Sequence, residues 1–340
     1  MQGSNEQEMF NISFIARRLK MRENNQHKTV LVLGSRASSL FRSEALYGQL
    51  KYFSDSILSD PEQPQTKKFG ACYDLLTSPM FSPAEIDQIL RQALKEVTVE
   101  GEDLCLARLV VVLRLFDVII TTCLDPIFEQ ALEMVGWKEL RDFDMYTPPL
   151  DPQKYDPLSH QRVPCRLVKV FGQLTTSEYI IHRGNHIKQH PSLHSLLQNL
   201  LQRDCLILGL DPVWDAEIYN IFPPLGNPIW YINEEPLDGR SGFSQLPPTR
   251  NILQLKGPDG SFKQFAHMLH WHIFDKIPIN FNEQTAHLFF KEVPRIHEDI
   301  QYLREMYSKV VERLDWQNQK IAELQELLLK KSTEEVTGTE

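Results

Sequence analysis

The chain has 340 residues, 42% hydrophobic and 24% charged, with a formal net charge of −9 and a pI of about 5.7. This is ordinary globular composition, enough for one large domain or two smaller ones. It argues against a general nucleic-acid binder, which needs a basic face to displace counterions, and no apolar run approaches the roughly 18 residues of a membrane span.

From the N-terminus, residues 1–28 are polar, with an amphipathic patch at Phe10–Leu19 that predicts a short lead-in helix and no signal-peptide core. Thr29–Leu33 (TVLVL) reads as a buried strand. Gly34-Ser35-Arg36-Ala37-Ser38-Ser39 follows, then Leu40, Phe41, Ala45, Leu46 and Leu50 at helical spacing. Strand, Gly/Ser turn and helix is the form of a phosphate-cradling first unit, and equally of a plain tight turn. Ser54–Lys68 reads as a loop and Phe69–Pro83 as irregular or as short helices. Ser82-Pro83-Ala84-Glu85 is a capping-box helix start.

The region from Leu104 to Leu132 organises the chain. Leu104–Leu115 reads as a helix that delivers the chain to a second buried strand, Val118–Thr122. Leu124-Asp125-Pro126 ends the strand, with Pro126 suited to the first turn of a helix through Ile127, Phe128, Ala131 and Leu132. In open α/β sheets ligands sit at the carboxyl ends of strands, which places Thr121–Asp125 at the edge that matters. Trp137–Pro164 reads as a surface excursion. Strands are expected at Pro164–Phe171, Tyr179–Ile181, Asp204–Leu210, Ile229–Ile232 and Ile252–Leu255, and a helix at Ser192–Leu201. Strands alternating with helices predict an α/β, Rossmann-like, mostly parallel doubly wound sheet.

The order of these pieces resembles the sirtuin (silent-information-regulator) superfamily, in particular its divergent bacterial branch of immune NAD-degrading proteins. Four places between Lys28 and Ile232 carry the resemblance. Gly34-Ser35-Arg36-Ala37-Ser38 stands where the family has a Gly-Ala-Gly-x-Ser loop around the NAD pyrophosphate. Thr121-Thr122-Cys123-Leu124-Asp125, with Glu129, stands where it has Thr-Thr-Asn-x-Asp and a glutamate one turn on. Lys169-Val170-Phe171-Gly172 stands where it has a His-Gly pair. Leu206–Gly209 with Asp211 and Asp215 is similar to its late strand, glycine turn and aspartate. The resemblance implies cofactor contacts from Gly34, Ser35, Ser38, Thr121, Thr122, Asp125, Gly209 and Asp215, with NAD or ADP-ribose as the ligand.

The departures bear on catalysis. Arg36 replaces a loop glycine, where it would crowd the pyrophosphate or pair with it. Cys123 replaces the asparagine at the nicotinamide ribose, and thiol hydrogen bonds are weak. Phe171 replaces the catalytic histidine, and general acid–base help is worth about 10²–10⁴ in rate. The expectation is therefore a catalytically degenerate module with no catalytic residue, which binds NAD or ADP-ribose or else binds no nucleotide at all, the sheet then serving only to pack. It would act as an oligomeric sensor, scaffold or regulatory subunit, which the resemblance places in a bacterial antiviral defence system. The alternative is an active, NAD-depleting glycohydrolase using non-standard residues.

Other candidate chemistry is weaker. Cys72, Cys105, Cys123, Cys165 and Cys205 form no CxxC and read as buried free thiols in a reducing cytoplasm. His182, His186, His190 and His194 fall four apart, but Gly184 and Pro191 break a continuous helix, and a surface or loop cluster is favoured over a metal site. His267, His270 and His272 lack a partner motif and read as amphipathic packing. One of them, such as His270, is the candidate substitute for the missing histidine. No metal site, nucleic-acid partner or membrane partner is expected.

The C-terminal region carries the clearest periodicity. Ile296, Ile300, Leu303, Tyr307, Val310, Leu314, Gln317, Ile321, Leu324 and Leu328 alternate in steps of four and three. This is a heptad seam with one polar core position, which favours a coiled coil that forms a homo-oligomer or takes a partner helix over a long helix packed back on the sheet. The expected organisation is a lead-in at 1–28, a sirtuin-like Rossmann domain at 29–290, a coiled-coil helix at 294–331 and a disordered tail at 332–340.

Overall fold

The computed structural model describes residues 11–24, 28–53, 62–147, 163–176, 178–181, 185–236 and 250–274, with positions 58, 60 and 320. The chain divides into two units, Met1–Phe281 and Asn282–Glu340. In the second, Lys320 alone is described, and it is helical. The coiled-coil expectation for 296–328 and the 332–340 tail otherwise lie outside the described residues.

In chain order, α1 (Ile12–Asn24) leads into β1 (Val30–Leu33), a short 3-10 turn, α2 (Ser39–Arg42), α3 (Ala45–Leu50), α4 (Gln65–Thr77), α5 (Pro83–Lys95) and α6 (Gly101–Leu113). Then follow β2 (Val118–Thr121), α7 (Ile127–Met134), β3 (Phe143–Tyr146), β4 (Cys165–Lys169) and the two-residue ribbon strands β5 (Gly172–Gln173) and β6 (Glu178–Tyr179). Helices α8 (His186–Gln189) and α9 (Pro191–Leu201), β7 (Cys205–Leu208), α10 (Ala216–Ile221), β8 (Ile229–Ile232), β9 (Ile252–Leu255) and α11 (Phe262–Phe274) complete it.

Seven strands form one parallel sheet in the order β3-β4-β2-β1-β7-β8-β9. The chain starts in the middle at β1, steps outward through β2 to β4 and β3, then crosses to β7 on the other side of β1. The direction of progress therefore reverses between β1 and β7. This is the topological switch point, where parallel sheets leave a crevice at the strand carboxyl ends. β1, β2, β7 and β8 are buried at every residue, as expected for strands covered by helices on both faces. Val30, Val32, Val118, Ile120 and Ile207 pack with Leu46, Leu50, Leu90, Leu197 and Ile218 of α3, α5, α9 and α10. The alternate residues Leu31, Ile119 and Leu206 are equally buried and point to the opposite face. There α1, α11, α6 and α7 form a continuous layer.

Three local expectations are corrected. The span read as a structureless excursion contains β3, because Phe143 buries its ring while the next three residues stay half-exposed, the pattern of an edge strand. One 13-residue helix, α4, runs across the end of the span read as a loop and into the one read as irregular or short helices, and it buries Phe69, Cys72 and Leu76 on one face. Pro126 is the cap residue of α7 rather than its first helical residue. The capping box at Ser82 and Glu85 forms as read.

Candidate functional site

The switch point is built on two glycines. Gly34 N–H donates to Leu208 O at 2.8 Å, and Arg36 N–H to Gly209 O at 2.9 Å. A Cβ on Gly34 would lie 2.3 Å from Gly209 O, so no larger residue fits there. Gly209 turns the chain at φ +65, a conformation that costs other residues energy.

The loop after β1 does not present its donors to the crevice. Residues 35–37 make a single 3-10 turn, and α2 is only four residues long. Ser35 donates both its N–H (2.9 Å) and its Oγ–H (2.7 Å) to Asp215 Oδ2, and Asp211 N–H donates to the same oxygen at 2.8 Å. Asp215 is fully buried. The protein's own carboxylate thus holds the position an anion takes in a phosphate-cradling loop. Arg36 lies along the same edge, with Nε 3.0 Å from Asp211 Oδ2, Nη1 3.1 Å from Asn233 Oδ1 and Nη2 3.0 Å from Glu235 Oε2. Burial disfavours its charge, but Asp211 and Glu235 outweigh that and raise its pKa. For Asp211 burial dominates and raises the carboxyl, with Arg36 opposing.

The carboxyl end of β2 is tied down in the same manner. Thr121 Oγ1 accepts from Cys123 N–H at 3.1 Å, and Cys123 Sγ–H points at Gly34 O at 3.3 Å. Thr122 N–H donates to Leu33 O at 3.0 Å. Asp125 accepts from the Ser38 hydroxyl and from Ile127 N–H, so it joins the loop after β1 to the start of α7. Burial pushes the Cys123 thiol far above its ordinary range, leaving it an unreactive neutral thiol. All five cysteines are buried and free.

Lys169, at the end of β4, is fully buried and pairs with Glu129 of α7, while also donating to Asp125 O at 2.7 Å. Burial raises the Glu129 carboxyl, and the Lys169 charge opposes it. Phe171 is 1% exposed and packs in the main core with Leu174 and Ile187, its ring 6.0 Å from that of His186.

Two cavities result. The first, lined by Ser35, Ser38, Thr122, Cys123, Leu124 and Trp214 among others, encloses only about 10 Å³. That is barely room for one water. Thr121, Asp125 and Asp215 are buried and line neither cavity. The second cavity, about 260 Å³, lies beyond Gly209 and Arg36 at the ends of β7 and β8. Phe41, Tyr47, Phe69 and Phe262 give it aromatic walls, and Arg42, Glu100, Glu102 and Lys263 give it charge. Most of these residues were not singled out in the sequence, because they come from α2, α6 and α11, remote from the strand-end motifs.

Arg42 is the electrostatic centre of that wall. Its Nη1 is 2.5 Å from Glu102 Oε1 and 3.8 Å from Glu100 Oε2, and its Nη2 is 2.5 Å from Asp103 Oδ1. Three carboxyls thus share one guanidinium. Burial, the neighbouring Glu102 hydrogen bond and Glu102 charge push Glu100 up to about 7. Burial opposes ionisation of Glu102, but the hydrogen bond from Glu100 and the Arg42 charge outweigh it and lower that carboxyl.

Among the described residues no histidine lines either cavity. His186 and His190 are buried, not in a surface cluster, with ring centroids 4.3 Å apart and His190 Nδ1 2.8 Å from His186 O. The correction has a simple cause: α8 is a single short turn that places His186 beside Phe171 and His190 against His186. His182 lies outside the described residues. His267 and His270 lie on α11, with His267 Nε2 4.0 Å from Glu102 Oε2. Among the described residues no group of three or more His, Cys, Asp or Glu could hold a metal ion. Among them, too, no helix is long and apolar enough to cross a membrane.

No protein-family model matches the chain, and no curated protein matches it.

Proposed function

We propose that this chain is a catalytically degenerate, sirtuin-like module that binds a nucleotide of the NAD or ADP-ribose class at the switch-point cavity without cleaving it. It serves as a sensor or regulatory subunit, assembled with copies of itself or a partner through the 296–328 heptads. The observation that carries this reading is the contrast between the two cavities. Beside Ser35, Thr122 and Cys123 the crevice is closed to about 10 Å³, and Phe171, standing where a histidine would act, is packed into the core. Beyond Gly209 there are about 260 Å³ of space.

That volume lies below the roughly 300–1,000 Å³ of most cofactor sites. It suits one nucleotide, so a dinucleotide would leave its other half outside. The aromatic walls stack a base, and Arg36, Arg42 and Lys263 face its phosphate. The alternative, an active glycohydrolase, has no histidine lining the small cavity to support it.

The test is calorimetric titration of ADP-ribose into wild type and K263E. Lys263 is exposed on the cavity rim, so the variant keeps the fold and reverses one charge. The expected result is binding by wild type that weakens at least several-fold in K263E. Absence of wild-type binding overturns the reading.

A further inference from the structure

We infer that the Glu100–Glu102 carboxyl pair is a proton-operated gate on the switch-point cavity, admitting anionic ligands best when Glu100 carries a proton. The inference deepens the reading of that cavity as the ligand site and rests on it.

The geometry is that of a wall with one cation too few. Arg42, from α2, meets Glu102 and Asp103 at 2.5 Å each, and Glu100 at 3.8 Å. The Glu102 and Asp103 side chains are 4% and 3% exposed, whereas that of Glu100 is 41% exposed at the rim. From α11, His267 lies 4.0 Å from Glu102, and Lys263 acts on it through its charge. The titratable and charged groups facing the pair are Arg42 from α2, Asp103 and Cys105 from α6, and Lys263 and His267 from α11.

With a proton on Glu100, the two carboxyls share a hydrogen bond and Arg42 is balanced by Glu102 and Asp103. Arg36 is likewise paired with Asp211 and Glu235, which leaves Lys263 and Glu234 as the other charges of the lining. Loss of the proton puts a second negative charge beside Glu102, draws Arg42 toward Glu100, and makes the wall more negative where a phosphate would sit. Burial and Glu102 place that proton loss near pH 7. Proton and anion thus favour each other, as linkage requires.

The experiment uses the full chain and ADP-ribose, whose phosphates keep their charge between pH 6 and 8. Calorimetry in two buffers of different ionisation enthalpy gives affinity and proton uptake together, and infrared spectroscopy of the unliganded protein follows the carboxyl C=O band. The expected result is an affinity about tenfold higher at pH 6 than at pH 8, with proton uptake near pH 7. E100Q, which mimics the protonated form, binds equally at both pH values. Equal wild-type affinity at both pH values without proton uptake overturns the gate. If ADP-ribose fails to bind at all, the nucleotide reading falls, and sulfate, whose charge does not change between pH 6 and 8, decides the gate. Sulfate binding that is tighter at pH 6 in wild type and independent of pH in E100Q upholds it, and sulfate binding that does not change with pH, or a wild type with no carboxyl band disappearing through pH 7, overturns it.

Discussion

Replacing Asp215 with alanine should unfold the carboxyl edge of the sheet more than any surface change. One carboxylate oxygen accepts from Ser35 N–H, Ser35 Oγ–H and Asp211 N–H within 2.9 Å, at full burial. The serine hydroxyl can rotate to another acceptor, but the two backbone N–H groups cannot. Each buried donor left without an acceptor costs about 1–3 kcal/mol, so D215A should lose about 4 kcal/mol. Against a typical total of about 5–15 kcal/mol this is a large fraction. For a domain of this size it should lower Tm by about 10 °C. D215N keeps one acceptor oxygen in place and should lose about half as much. Urea unfolding of the three proteins measures both losses. A D215A loss below about 1 kcal/mol would show that the carboxylate does not hold the loop, and the argument that it occupies the anion position would collapse.

Further expectations follow from the same edge. Gly34→Ala places a Cβ 2.3 Å from Gly209 O and should cost about 3 kcal/mol, read by urea unfolding. Glu100 is raised from its ordinary 4.5 to about 7 in the folded chain. Its contribution to stability is therefore full below pH 4.5 and lost as pH rises through 7, so thermal melting from pH 5 to 8 should show a decline that E100Q flattens. Phe171→His puts an imidazole into a site 1% exposed. It should cost about 3 kcal/mol and release no nicotinamide from NAD, because the adjoining crevice is closed.

Much of the fold was legible because buried parallel strands are continuous apolar runs. Val30–Leu33, Val118–Thr121 and Cys205–Leu208 announce themselves, as do the edge-ward Ile229–Ile232 and Ile252–Leu255. The edge strand Phe143–Tyr146 did not, because it buries only Phe143 at one end. Helix α4 was hidden by its weak amphipathicity, and its face is apolar only once Trp214 is packed against Phe69. At the site, the strand-end residues were visible as motifs, and the fold does bring Gly34, Ser35, Gly209 and Asp215 together. Their roles were not visible. Whether Ser35 offers its N–H to a ligand or to Asp215 depends on a contact 180 residues away in sequence. The open cavity was illegible for the same reason, since Arg42, Glu100 and Lys263 meet only after α2, α6 and α11 have packed.

The most direct test of the central claim is NAD consumption by the purified full chain, with nicotinamide followed by chromatography. A module that binds without cleaving should leave NAD intact over hours while ADP-ribose binding is seen in parallel. Release of nicotinamide at an enzymatic rate, abolished by substitutions in the cavity of Arg42 and Glu100, would contradict the account and make that cavity an active site.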